Sequence, residues 1–522
     1  MKTFVLNHAE DVIGVLSGFD RLVFRGTIRQ LAHLDGLESY LATMHVLLKD
    51  FGRHALAKST QIKEAVQGAV EKLGRPVVYL PSSQTSKEQT ARAIAERDGV
   101  RDGTICLLTC VEPCKTFEVH GDRATRRIHL KPALRKCLFL YRYAFHPVFG
   151  FTHVRIQSWF PFTVRLYLNG REWLAREMDR LGLGYRRREN CFVWLSDPTR
   201  AQRLMDEQLR HRWPEALDAA VRDLNPAYPA MFGRFVAPYY WSVDQSEWAT
   251  DIMFRSPDAL ARLYPRLVRH GISAFSSPDV MRFLGQSVPS HGRVNGNFLG
   301  EIVSDLKHRP EGVRIKHRLN SNSIKLYDKQ GSVLRIETTI VNARDLKVFR
   351  PREGDPHGKR AWRRLRNGVA DLFRRTRLSQ AANERYAEAL AAIDAPLRFG
   401  EIVDRLARPA EIHGRRVRGL RLWDPGDLAL LRAVNRGEFV ITGLRNRDLR
   451  ALLHSERPPD AAEDRRRSTR TGRLLRLLRA HRILRKVPKT HRYLVTPFGR
   501  RTIAALLAAN DATVEQLTRK AA

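Results

Sequence analysis

The chain has 522 residues and sets 92 Lys and Arg against 55 Asp and Glu, a net charge of +37, with 43% hydrophobic and 8% aromatic residues. That apolar content excludes wholesale disorder, and five cysteines are too few to staple a chain of this length with disulfides. No run of about 18 apolar residues occurs, which excludes a membrane-spanning helix by hydropathy. The surplus of cations favours a polyanionic partner.

At about 150 residues per domain, the length suggests three or four domains. The start, MKTFVLNHAEDVIGVLSGF, meets Glu10 and Asp11 before a signal-peptide core can build. The expectation is a soluble protein of a reducing bacterial cytoplasm. Its leading partner class is nucleic acid, DNA ahead of RNA, with no membrane association. Homodimerisation stays open.

In chain order, residues 1–140 alternate strand-like and helix-like stretches. FDRLVFRGTI reads as a strand with a glycine turn, and LESYLATMHVLLKDFGRHAL as a helix. STQIKEAVQGAVEKLG reads as a second helix, opened by Ser59 or Thr60 as N-cap. PVVYLP, SSQTSKEQTARAIAERDG and TICLLTCV read as strand, capped helix and strand. The order predicts an α/β layer architecture within a mixed α+β, multidomain chain.

Residues 141–240 open with FHPVFGFTHVRIQSWFPFTVRLYLNG, two strands broken near Pro161, followed by helices at NGREWLAREMDRLG and AQRLMDEQLRHRW. Residues 241–345 carry helical patterns at Asp258–His270 and Phe298–Lys307, then GVRIKHRL and a hairpin, SNSIKLYDKQGSVLRIETTI. Residues 346–410 read as a basic helical linker, because Arg344–Arg377 holds twelve Lys or Arg and four acids. Residues 411–522 read as a separate DNA-binding unit.

The hairpin predicts a three-residue loop, Lys329–Gly331, pairing Tyr327 with Val333 and Lys325 with Arg335. Lys325, Tyr327, Arg335 and Glu337 then share one polar face. That face can be a solvated surface, or a phosphodiester site with Tyr327 as stacker or nucleophile. K-x-Y-D-K followed by R-x-E resembles, over about twenty residues, a strand pair of phage and plasmid replication initiators. The resemblance implies a DNA-processing enzyme acting near Tyr327. The paired histidines by which many such enzymes hold a metal are missing, since no H-x-H occurs.

His153, Arg155 and Gln157 alternate along THVRIQSWF and form a candidate platform for single-stranded nucleic acid. Cys106, Cys110 and Cys114 would lie about 13 Å apart along a strand, so they read as buried and inert. No Walker loop, GxGxxG, GxSxG or HExxH is present. No cofactor or metal is assigned. A carboxylate set of Asp20, Glu112, Asp328 and Glu337 can be drawn only by free choice.

The C-terminal stretches read as a helix in DPGDLALLRAVNRGE, a strand in FVITGL and a helix in NRDLRALL. Then come an amphipathic helix in EDRRRSTRTGRLLRLLRAHRIL, a basic hairpin in LRKVPKTHRYLVT and a closing helix in TPFGRRTIAALLAA. Leu474, Leu475, Leu477 and Leu478 centre on one side of the amphipathic helix, opposite its arginines. Between Asp464 and Arg501 there are fourteen Lys or Arg and one acid. The order of elements over about 423–508 resembles a winged-helix domain of the MarR-like bacterial regulators. The resemblance implies duplex DNA binding, which the basic side chains here would carry through Arg465, Arg466, Arg470, Arg473, Arg476, Arg479, Lys489 and Arg492. Over most of its length the chain also resembles an uncharacterised bacterial protein family. The stretches that carry it include CVEPC, FGFTHVRIQSWFPF and LNGREWL, with the hairpin and the Leu477–Thr496 segment. It implies a grouping and no mechanism.

Overall fold

Long strands dominate the first two thirds of the chain in the computed structural model. The structure describes all residues except 123, 125–126, 211, 229–231, 234, 236–237, 287, 289–299, 310–311, 353, 356, 392–398, 413, 437–438, 440–442, 455, 457, 489 and 514–522. The strands are β1 (Val12–Ile28), β2 (Val77–Tyr79), β3 (Gly103–Asp122), β4 (Arg127–His146), β5 (Gly150–Gln157), β6 (Val164–Asn169), β7 (Tyr185–Arg188) and β8 (Cys191–Leu195). After them come β9 (Tyr239–Phe254), β10 (Ile302–Arg309), β11 (Gly312–Leu319), β12 (Asn322–Lys329), β13 (Val333–Ile340), β14 (Lys347–Arg350) and β15 (Ala361–Arg364). Eleven form one mixed sheet, ordered β10-β11-β12-β13-β9-β1-β6-β5-β4-β3-β2. β2 runs parallel to β3, which the chain reaches from it through the helix Lys87–Arg97, whose Ser86 caps the Gln89 N–H. The fold is mixed α/β, in two compact units that divide near residue 394.

The divisions expected at 140 and 240 fall inside β4 and β9. Residues 344–371 also differ from a helical linker: β14 and β15 pair there, around a small core of Leu346, Val348 and Leu365. The stretch expected as a helix at Phe298–Lys307 contributes β10, because Ile302, Val303 and Leu306 ladder onto β11. Ser59 is no cap. It is buried in mid-helix within Phe51–Glu71. Gly26 is likewise no turn, since it lies in β1 where an added Cβ would meet Val164 at 2.8 Å and Trp241 at 3.0 Å.

Both faces of the sheet centre are covered. The helix Leu372–Leu390 lies over the Ile336–Thr338 side, where Asn383 donates to the carbonyls of Trp248 and Ile336 at 3.1 Å. The main core holds Leu16, Phe24, Leu107, Phe139, Ile156 and Leu166. All five cysteines are buried as free thiols.

The second unit contains β16 (Ala410–Ile412), β17 (Arg415–Val417), β18 (Leu444–Arg445), β19 (Leu484–Lys486) and β20 (Arg492–Val495). Five helices accompany them among the described residues: Phe399–Ala407, Pro425–Val434, Asn446–Leu453, Ala461–Ala480 and Pro497–Asp511. β20 sits between β18 and β19. Leu431, Leu449, Leu475, Leu478, Ile483 and Ile503 share its core. No helix among the described residues is long and apolar enough to cross a membrane.

Candidate nucleic-acid interface

The Ala461–Ala480 helix begins where the Asp460 carboxylate accepts the Glu463 N–H at 2.7 Å. Its acids, Glu463 and Asp464, sit in the first turn, where the helix dipole favours them. They are also taken: Glu463 by Arg467 at 3.1 Å and Asp464 by Arg450 at 3.0 Å. At 100° per residue, Leu475 and Leu478 turn into the core with Thr471, and Leu474 is half-buried. Arg465, Arg466, Arg470, Arg473 and Arg476 are exposed on the opposite side. None of the five meets a carboxylate among the described residues. Arg465 donates to the Ala461 carbonyl of its own helix at 3.2 Å. Arg466 to Arg476 covers about 15 Å of axis at 1.5 Å per residue.

Arg479 and Arg492 are half-buried and each has interactions of its own. Lys489 lies outside the described residues. Two cations were missed: Arg485 and Lys486, both exposed on β19, which pair across to Leu494 and Tyr493 of β20. Their signal was their place in the basic hairpin, one strand before the aromatic return.

The hairpin of the first unit differs from its expected register. β12 and β13 pair Lys329 with Val333, Tyr327 with Arg335 and Lys325 with Glu337, two residues along from the expectation. Gln330 (φ 61°) and Gly331 (φ 79°) are both left-handed and turn the chain. A two-residue shift keeps each side chain on its face. It also replaces a Lys–Arg clash by two attractive partners.

The polar face is buried on β13 and half-buried on β12. Arg335 is fully buried and donates to Asp251 at 2.6 and 2.9 Å, to Asp20 at 3.0 Å and to the Asn190 carbonyl at 3.0 Å. Arg171 adds a contact of 3.1 Å to Asp251. Lys325 donates to Glu337 and lies 3.7 Å from Glu247. Four carboxylates (Asp20, Glu247, Asp251, Glu337) thus meet four cations (Arg21, Arg171, Lys325, Arg335).

Burial pushes the Glu337 carboxyl up, but Lys325 and Arg335 overrule it and hold it at about 2. Burial raises Asp20 despite Arg335, and raises Glu247 despite Lys325. The Tyr327 phenol is pushed well above its ordinary range by burial and by Glu337, to which it donates at 2.7 Å. This is a partly buried phenol whose hydroxyl is already engaged by Glu337 within a charge-balanced network.

One part of the carboxylate set does converge. Oxygens of Asp20, Glu247 and Glu337 lie within 4.8 Å of one another, close enough to hold a small cation. The Lys325 ammonium already supplies a positive charge to two of them. Glu112 lies elsewhere, bonded to Arg155 at 2.7 Å and to Tyr141. Asp328 pairs across to Leu334, outside the trio.

His153, Arg155 and Gln157 share one face of β5, but each is occupied internally. His153 stacks on Tyr167 at 5.2 Å, and burial, with Arg21 and Arg155, lowers its imidazole to about 3. Arg155 lies 3.6 Å over the Phe139 ring. The Gln157 amide donates to the Trp159 and Phe160 carbonyls at 3.0 and 2.9 Å. These internal contacts hold all three side chains in place. Comparisons with protein-family models, curated proteins and solved structures return no match to this chain.

Proposed function

We propose that the protein binds duplex DNA through its C-terminal unit, a winged-helix module that presents the Ala461–Ala480 helix to the major groove and β19–β20 to the backbone. One observation carries the reading: five exposed arginines line a helix face with no carboxylate of the described chain to neutralise them. The B-form major groove, about 12 Å wide, admits a helix. Guanidinium groups can take guanine edges or phosphates there. The order of helices, with the last strand between the other two, supports the same module. The companion activity of the first unit is left unassigned, because its tyrosine face is internally satisfied.

Retention on duplex DNA across a salt series tests the reading. Changing Arg470, Arg473 and Arg476 to Ala should lower the slope of log affinity against log salt by about 2.7, at about 0.9 per phosphate contact. An unchanged slope overturns the placement. Digesting co-purified nucleic acid with DNase or RNase separates this reading from an RNA partner.

A further inference from the structure

A second concentration of cations lies within the first unit, in a groove of about 970 Å³. Its floor comes from alternate residues of two paired strands: Arg25 and Thr27 of β1 face Ser242 and Tyr240 of β9. Its wall is the β14–β15 hairpin and the segment after it, tied down by the Val243 N–H donating to the Asn367 carbonyl at 2.8 Å. Among the described residues, eight arginines line the groove, with one carboxylate, Asp244. That carboxylate is taken by Arg165 at 2.9 Å. The nearby Asp371 is taken by Arg366 at 3.0 Å and Arg374 at 2.7 Å.

Arg25, Arg29, Arg344, Arg352, Arg363 and Arg364 therefore have no ion pair among the described residues. Arg350 is only 8% exposed, and Arg366, Asp371 and Arg374 surround it. The Nε–H groups of Arg25 and Arg363 are buried and find no hydrogen-bond acceptor, whereas the Arg350 Nε lies 3.9 Å from Asp371. A solvated arginine face accounts for the outer members. It does not account for buried donors in a field of like charge, which an anion would satisfy.

Aromatic rings are the second observation. Phe349 and Trp362 face each other across the β14–β15 ladder with centroids 5.8 Å apart. Trp362, 69% exposed, lines the groove, and Phe349, 56% exposed, stands beside it on the neighbouring strand. Tyr240, also exposed, carries the Arg29 guanidinium 3.6 Å from its ring centre. Duplex nucleic acid hides its bases and would use only the cations. A single strand offers unstacked bases to rings and phosphates to arginines together.

We infer that this groove binds single-stranded nucleic acid, with arginines on the phosphodiesters and Trp362, backed by Phe349, stacking on a base. The site is separate from the proposed duplex-binding helix and does not depend on it.

The test uses the full chain carrying Arg470→Ala, Arg473→Ala and Arg476→Ala, so that the two readings fail independently. Fluorescence anisotropy follows a labelled oligo(dT) 12-mer and its oligo(U) counterpart over a salt series. Trp362→Ala, an exposed position, should weaken either strand by about 5-fold or more. Arg352→Ala with Arg364→Ala, both exposed, should lower the salt slope by about 1.4, at about 0.7 per contact on single strands. Circular dichroism and the melting midpoint should stay unchanged. Parental affinity in both variants overturns the inference. So does loss in the arginine variant alone with polyphosphate displacing the oligonucleotide, because the groove would then sense charge without bases. A blunt duplex of equal length that binds as tightly as the single strand also overturns it.

Discussion

Arg335 of β13 and Asp251 of β9 form a bidentate pair, with Nε and Nη2 donating at 2.6 and 2.9 Å and both side chains fully buried. Removing one partner leaves an uncompensated charge in the sheet interior, which typically costs about 3–5 kcal/mol. Arg335→Met should therefore lower the urea midpoint by that equivalent with little change in the denaturant slope. A loss below about 1 kcal/mol would mean that water reaches the pair.

Tyr327→Phe removes a hydrogen bond to Glu337 and leaves one carboxylate oxygen short of a donor. The expected cost is about 1–3 kcal/mol of stability. Retention on duplex DNA should be unaffected. Incubation of the parent protein with supercoiled or single-stranded DNA and divalent metal should give no nicking. A nicked product that disappears in Tyr327→Phe would restore the enzyme reading.

His317 is buried between Ser304 and Tyr386, and burial lowers its imidazole to about 4. Unfolded, it titrates near 6.5. The unfolded chain therefore takes up the proton first as pH falls. Stability present above about 6.5 drains away between there and about 4. His153 contributes in the same direction down to about 3. His317→Asn should be less stable at pH 7, yet lose about 2 kcal/mol less than the parent between pH 7 and pH 5. Urea melts at the two pH values check this.

Glu337 is the opposite kind of group, a carboxyl held at about 2 in the fold. Its contribution is present above the ordinary carboxylate range near 4.3 and is lost as pH falls toward 2. Lys325→Met removes its main cation and should shift that acid limb to higher pH, read from the acid-unfolding midpoint.

Gly26 lies between Val164 and Trp241, with room for no Cβ. Gly26→Ala should cost about 1–3 kcal/mol through overpacking of β1 against β6 and β9. A thermal midpoint within error of the parent would show that Trp241 can move aside.

Local patterns carried much of the chain. The helix at Lys87–Arg97 follows from Ser86 and its apolar spacing, and the C-terminal helices follow from Asp424, Asp460 and Thr496 ahead of periodic leucines. The outward side of the Ala461–Ala480 helix is equally legible, because a 3.6-residue period assigns the arginines once the leucines are inside. A strand's period of two names two faces without saying what covers either. The Lys325–Glu337 face read as surface until Asn190, Arg171 and the acids of β1 and β9 closed over it. Those partners stand up to 315 residues away in sequence, as Asp20 does from Arg335. The same distance hid the eleven-stranded sheet and the arginine groove. β1 finds β9, and the supposed linker finds β9 in turn, through hydrogen bonds that no window along the chain contains.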